Sequence, residues 1–370
     1  MKIMIKKDFW LAVGLLAGAI IGAGVFSLPF AFQISGLSIG FFYLFLAAAV
    51  YIAIHWMYSD IILRTEGEHR FVGYAKIYLG EKAAWFSMLM TIVEMIFVMT
   101  IYLVLSQSFG NLILASGEGI AKLLIFWFLG SVAVFASVKR IALLELLIVG
   151  GIFLIMIAIF GLGILNAENL RSLNFNYNWP AALLPLAPVL FALSGRVAIP
   201  SLVKILRNKE NAKQLIWKSI AVGTIMPAIL YGLFAVGILG LNPLPSEDSV
   251  SGLIGQVPNW ILFIIGILGL LSLWSSYIVV GLDVKNILFF DLKFSKTAIF
   301  LMVVTAPLLL YLAGLQSFFG LVGFVGGIFL ALEGIFITLM WLRAAKRKLT
   351  LPIVLLLSVF VVALAYEIIK

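Results

Sequence analysis

Long apolar stretches alternate along this chain with short stretches that hold nearly all of its charge. A run of about 20 apolar residues is long enough to cross a bilayer as a helix. Eleven such runs are read at 9–33, 37–63, 84–114, 120–138, 142–165, 180–206, 213–241, 258–289, 296–314, 318–342 and 350–368. Their ends are defined to within about 2–4 residues. Several exceed the minimum length, which predicts tilt or extension beyond the membrane. Alternating segments of about ten residues, the mark of a membrane β-barrel, do not occur. The pattern predicts an all-α integral membrane protein of about eleven transmembrane helices, forming one domain over residues 1–370. Composition agrees: 64% of the 370 residues are hydrophobic and mean hydropathy is +1.20, against roughly 45–50% apolar residues in soluble domains.

Charge sets the orientation. If the N-terminus is inside, the inner segments hold 21 of the 25 Lys and Arg residues. They are Lys2, Lys6, Lys7; Arg64, Arg70, Lys76, Lys82; Lys139, Arg140; Lys204, Arg207, Lys209, Lys213, Lys218; Lys285, Lys293, Lys296; and Arg343, Lys346, Arg347, Lys348. Outer segments hold Lys122, Arg171 and Lys370, and Arg196 falls inside a span. Basic residues collect on the cytoplasmic side, so the bias predicts an odd number of spans in the cell membrane, N-terminus inside and C-terminus outside. It also accounts for the net charge of +9 without nucleic acid, because these residues face anionic lipid. The opening MKIMIKK resembles a signal peptide, but the apolar run after it lacks a small-residue cleavage site and continues past Pro29. It reads as an uncleaved first span. The absence of cysteine excludes disulfide and thiolate chemistry. No H-E-x-x-H, phosphate-loop or G-x-S-x-G motif occurs, so an enzyme and a cofactor are not expected. His55 and His69 are too isolated for a metal site.

Two connections have character of their own. HRFVGYAKIYLGEKAAW (69–85) places Phe71, Tyr74, Ala75 and Tyr78 at helical spacing, as in a short interfacial helix. NPLPSEDSVSGLIGQVP (242–258) reads as an outer surface loop, with a lid as the alternative.

The first run contains GAIIGAGVFSLPFAF (18–32) and the sixth FALSGRVAIPSL (191–202). Glycine and proline weaken helix interiors, yet both runs carry them in the same arrangement: Gly24, four residues, Pro29, and Gly195, four residues, Pro200. Five spans separate the two. An odd offset reverses orientation, which predicts inverted repeats: spans one to five over about 8–165, six to ten over about 180–343, and an added helix at about 350–368. Paired interruptions of this kind point to a binding site. Unwinding a helix in hydrocarbon leaves backbone groups without partners, and a bound solute or ion can supply them. Packing is the competing explanation, since Gly14, Gly18 and Gly22 form a repeated G-x-x-x-G.

At these residues the chain resembles the amino acid/polyamine/organocation superfamily, most closely its amino acid/auxin permease and aromatic amino acid permease branches. GAIIGAGVFSLPFAF is similar to their broken first helix, FALSGRVAIPSL to the broken sixth, SSYIVVGLDVKNILFFDL (275–292) to the end of the eighth, and RFVGYAKIYLG (70–80) to an inner loop. The resemblance implies a leucine-transporter-like fold of five-plus-five repeats and secondary transport of an amino acid by alternating access. A receptor of the same fold that binds without transporting is the alternative. It implies that backbone from Ile21 through Gly22, Ala23 and Gly24 to Val25 holds the substrate carboxylate. Phe191, Ser194, Gly195 and Arg196 would hold the ammonium and border the side chain. Arg196 departs from the neutral residue or histidine that relatives more often carry.

A charge at mid-span costs about 2.5–3.5 kcal/mol on insertion scales and needs a partner or a purpose. Arg196, Glu94 and Glu333 all lie near mid-depth. Arg196 is expected to pair with Glu333 or Glu94, either as a static link between helices or as part of a proton-coupled cycle. A competing coupling site lies in span eight, where Ser272, Ser275 and Ser276 share one helical face. With carbonyls near Gly18 and Ile21 they resemble the superfamily's sodium site; hydroxyls bonded back to their own helix are the plainer reading. Tyr102 and Ser106, and Trp274 with Phe191, are weaker pocket candidates, and Asp60, Glu145 and Asp283 read as interfacial. The coupling ion is thus a proton or sodium. The expected partners are an amino acid, as a small-molecule substrate, and the lipid bilayer; the sequence does not determine protein partners.

Overall fold

The computed structural model describes residues 2–114, 119–135, 141–166, 169, 175 and 177–370. Lys139, Arg140 and Arg171 lie outside the described residues, as do the side chains of Lys2, Lys6 and Glu145. Among the described residues every regular element is helical.

The first apolar run is two helices, α1 (Lys2–Ile20) and α2 (Leu28–Ser35), joined by a tight turn at Ala23–Ser27 and bent by 47°. Then come α3 (Leu37–Arg64), the short α4 (Phe71–Leu79), α5 (Glu81–Ile113), α6 (Gly119–Phe135) and α7 (Ile141–Ile164). The sixth run is again divided, into α8 (Leu186–Leu193) and α9 (Ile199–Leu206) around a turn at Arg196–Ala198. After it come α10 (Ala212–Leu241) and α11 (Asn259–Asn286). The ninth run is α12 (Lys296–Phe300) and α13 (Ala306–Leu312) around a π-helical turn; the tenth is α14 (Phe318–Phe324) and α15 (Ala331–Ala344) around another, at Val325–Leu330. The last helix is α16 (Leu351–Ile369). Among the described residues seven helical stretches are long and apolar enough to cross a membrane, with the divided sixth and tenth runs each counted as one, and the bent first pair makes an eighth. Gly119–Phe135, Gly150–Ile164 and Lys296–Leu312 are shorter apolar helices. The chain is a multi-pass membrane protein.

Both proline residues start a half-helix rather than interrupt one. Pro29 and Pro200 sit in the first turn of α2 and α9, where the missing N–H has no partner to lose. The divisions therefore fall upstream, at Gly22, which is extended (φ −152°, ψ −161°), and at Gly195 (φ −146°, ψ 17°).

Helix α1 packs on α10 and α9, and α8 on α3, the first break and the π-turn of the tenth run. Helix α11 packs on α5, α6 and α7. The segments assigned to one side of the membrane meet one another. Lys209 pairs with Asp8 at 2.5 Å, Lys204 with Glu68 at 2.9 Å, and Arg343 donates to the Tyr78 carbonyl at 2.8 Å. At the other end the Asn178 backbone N–H donates to the Ser35 carbonyl at 3.1 Å, and Ser317 donates to Glu247 at 2.9 Å. Exposed pairs of this kind add little stability. Lys204 nonetheless holds the Glu68 carboxyl below the ordinary carboxylate range.

The segment at 69–85 does form a helix, α4. Its apolar side, Phe71, Tyr74 and Ala75, is buried within the molecule, where the Phe71 and Tyr74 rings meet that of Tyr58. Burial pushes the Tyr74 hydroxyl above its ordinary value.

Candidate functional site

The two breaks lie against each other, and their glycines make the approach possible. A Cβ on Gly24 would sit 2.6 Å from the Ala192 Cα and 2.9 Å from the Phe191 ring, in the last turn of α8. A Cβ on Gly195 would sit 2.7 Å from Ile20 and 2.9 Å from Leu16, in the last turn of α1. Each break therefore packs on the end of the other's first half-helix. The G-x-x-x-G alternative fares differently: a Cβ on Gly14 meets nothing within 4 Å, and one on Gly22 only the Ile20 carbonyl at 3.9 Å.

Broken helices need partners for their last carbonyls. Two tyrosines supply them, in the same reciprocal arrangement. Tyr231 of α10 donates to the Ile20 carbonyl at 2.7 Å. Tyr51 of α3 donates to the Leu190 carbonyl at 2.8 Å. Thus the second run holds the sixth, and the seventh holds the first. Sequence reading passed over both tyrosines. Within the first break, Ser27 donates to the Gly24 carbonyl at 2.7 Å. From outside, Ser249 in the 242–258 loop donates to the Phe26 carbonyl at 2.7 Å. Ser249, Val250 and Leu253 are buried, so this loop is folded onto the end of the break.

The second break carries charge. Arg196 donates to Glu333 of α15, and its guanidinium lies 4.5 Å from the centre of the Phe71 ring. Of the two expected counterions, Glu333 is the one in contact. Glu94 of α5 is buried within electrostatic range of both, and its Oε2 has no hydrogen-bond partner. The π-turn positions Glu333: a Cβ on Gly326 would lie 2.1 Å from the Ala187 carbonyl, so glycine lets the tenth run close on α8 just before the glutamate. Tyr51, His55 and Tyr58 recur at i, i+4 and i+7 and form a buried polar stripe on α3. Both His55 nitrogens lack partners. That spacing was the signal available in the sequence.

The serine face lies on α11, which packs chiefly on α5, α6 and α7. The buried Ser275 hydroxyl and the Trp274 indole N–H have no partner. Ser106 bonds back to the Leu103 carbonyl at 2.7 Å. Asp60 is buried and accepts from Arg64 at 2.7 Å and from the Trp341 indole at 2.9 Å, a tie between α3 and α15.

The fold is shared with solved transporters. The chain matches the structure of MhsT in complex with L-phenylalanine at TM-score 0.66 and 16% identity, covering 98% of this chain and 97% of that one. It matches Mhp1, a nucleobase-cation-symport-1 family transporter, closed with bromovinylhydantoin bound, at TM-score 0.62 and 14% identity, over 98% and 91%. It matches the Eremococcus coleocola manganese transporter at TM-score 0.58 and 11% identity, over 99% and 87%. These likenesses bear out the expected leucine-transporter-like architecture at the level of overall fold. No curated protein matches the chain in sequence. The family model for tryptophan/tyrosine permeases matches residues 5–368, and the chain belongs to the tryptophan/tyrosine permease family.

Proposed function

We propose that this protein is a secondary active amino acid transporter that binds its substrate at the two breaks and works by alternating access. The observation that carries the reading is the reciprocal interlock. Gly24 lies on the end of α8, Gly195 on the end of α1, and one tyrosine from each half holds the other half's broken end. This exchange is what a two-fold relation between spans one to five and six to ten requires. The three shorter apolar helices then complete eleven spans, with the N-terminus inside and the C-terminus outside the cell membrane. Backbone at Ile21–Val25 receives the carboxylate, and Phe191, Ser194 and Gly195 border the ammonium and side chain. The mostly apolar breaks favour a neutral substrate, aromatic or branched. MhsT was solved with L-phenylalanine, in keeping with that preference.

Coupling runs through the charged cluster. Glu94 has an open carboxylate oxygen beside the Arg196–Glu333 pair, which suits a proton carrier. The Ser272–Ser276 face, with its open Ser275 hydroxyl, is the sodium alternative. The test is uptake of labelled amino acids into proteoliposomes under a pH gradient and, separately, a sodium gradient. Concentrative uptake of an aromatic or branched amino acid under the pH gradient, lost in Glu94→Gln, is expected. Uptake driven by sodium alone moves coupling to the serine face. Saturable binding without uptake under either gradient overturns the transport reading in favour of a receptor.

A further inference from the structure

A second cavity, remote from the breaks, lies at the end of the molecule that carries most of the basic residues. Its volume is about 380 Å³, and it is lined by Phe135, Lys285, Asn286, Phe289, Lys296 and Ile299. Three elements meet there: the end of α6, the end of α11 and the start of α12. The Lys285 ammonium lies 4.8 Å from the centre of the Phe135 ring and donates to the Val134 carbonyl at 3.3 Å. An ammonium has three donors, so this one contact leaves capacity for a ligand. Among the described residues no carboxylate pairs with Lys285 or Lys296. Among the described residues both cations thus lack an anionic partner, and they line a cavity whose other walls include two aromatic rings and an isoleucine.

We propose that this cavity binds an anionic phospholipid of the inner leaflet. Lys285, Lys296 and the Asn286 amide hold the headgroup phosphate, and an acyl chain lies over Phe135, Phe289 and Ile299. The mixture of walls decides the occupant. A free phosphate satisfies the lysines but leaves the aromatic walls wet, whereas a neutral lipid covers the walls but leaves two cations unpaired. Basic pockets between spans on the cytoplasmic side are where such headgroups are held. The ligand stands on its own observation and is independent of what the breaks bind.

The test uses the purified full-length protein in neutral detergent, titrated with phosphatidylglycerol while thermal unfolding is followed. Phosphatidylcholine and inorganic phosphate form the parallel arms. Stabilisation by phosphatidylglycerol alone is expected. In Lys285→Gln/Lys296→Gln the half-saturating concentration should rise about thirtyfold, the loss of two near-surface basic attractions. The control Lys346→Gln/Lys348→Gln, in another inner segment, should leave it unchanged. Equal loss in the control, or no loss in the first variant, reduces the effect to general attraction and overturns the site. Equal stabilisation by inorganic phosphate makes it a free-anion site and overturns the lipid. If the first variant does not fold, wild-type protein decides through phosphatidylglycerol carrying a photoreactive acyl chain. Label on 285–300 supports the proposal, and label confined to other segments overturns it.

Discussion

The two breaks share a plan and differ in chemistry. Each has a glycine against the other's half-helix, a proline at the start of its second half, and a tyrosine from the opposite half holding its last carbonyls. The first is otherwise neutral: Ser27 closes it from within and Ser249 covers it from outside. The second holds Arg196, fixed by Glu333 and resting on Phe71 of α4. One break is thus tied to the 242–258 loop by a hydrogen bond, and the other is tied to α15 and α4 by a charge. Neutral ties exchange partners cheaply, because water or a solute replaces them. A buried ion pair changes only if its charge is met elsewhere. Under the proposed function, in which both breaks border the substrate, the neutral ties of the first are the ones expected to exchange with it and the ion pair of the second is the one expected to take part in coupling.

The largest expected effect comes from separating the pair. Glu333→Ala leaves Arg196 charged and uncompensated, a loss of about 3–5 kcal/mol in soluble proteins, visible as a fall in thermal midpoint in detergent. The double variant Arg196→Gln/Glu333→Gln should recover most of that stability, since removing both partners is often close to neutral, while gradient-driven uptake stays lost. Recovery of uptake would make the pair a static brace and erase the difference between the breaks.

Next in size are the glycines. Gly24→Ala forces a Cβ onto the Ala192 backbone, and overpacking of this kind costs about 1–3 kcal/mol. Gly195→Ala meets only the flexible Ile20 and Leu16 side chains and should cost less. Gly22→Ala has open space around it and an extended backbone, so its stability should change by no more than about 0.5 kcal/mol. Thermal midpoints of the three variants give the order directly. The smallest and most symmetric effect is that of the tyrosines. Tyr51→Phe and Tyr231→Phe each remove one buried hydroxyl from a carbonyl and should lose about 1 kcal/mol apiece. Unequal losses would show that the reciprocity is geometric and not energetic.

Much of this arrangement was legible beforehand. Gly24 to Pro29 and Gly195 to Pro200 marked both breaks, because glycine and proline stand out against an apolar helix. The mid-span position of Arg196 and Glu333 predicted an ion pair, because an isolated charge at that depth is too costly to leave alone. The spacing of Tyr51, His55 and Tyr58 marked a polar face on α3, but the roles of Tyr51 and Tyr231 were not legible, because each depends on a carbonyl 139 or 211 residues away. The π-turn before Glu333 was hidden for the same reason: it answers the Ala187 carbonyl of another run.

The sequence by itself determined the helical membrane class, the location of both breaks and the charges that must find partners. Each of these follows from the cost of placing one residue type in hydrocarbon. The tertiary structure alone decided that Arg196 chooses Glu333 over Glu94, that α11 packs on α5, α6 and α7, and that each half caps the other. Those outcomes depend on which helices pack side by side, and in a chain that is apolar throughout, local sequence does not encode neighbours.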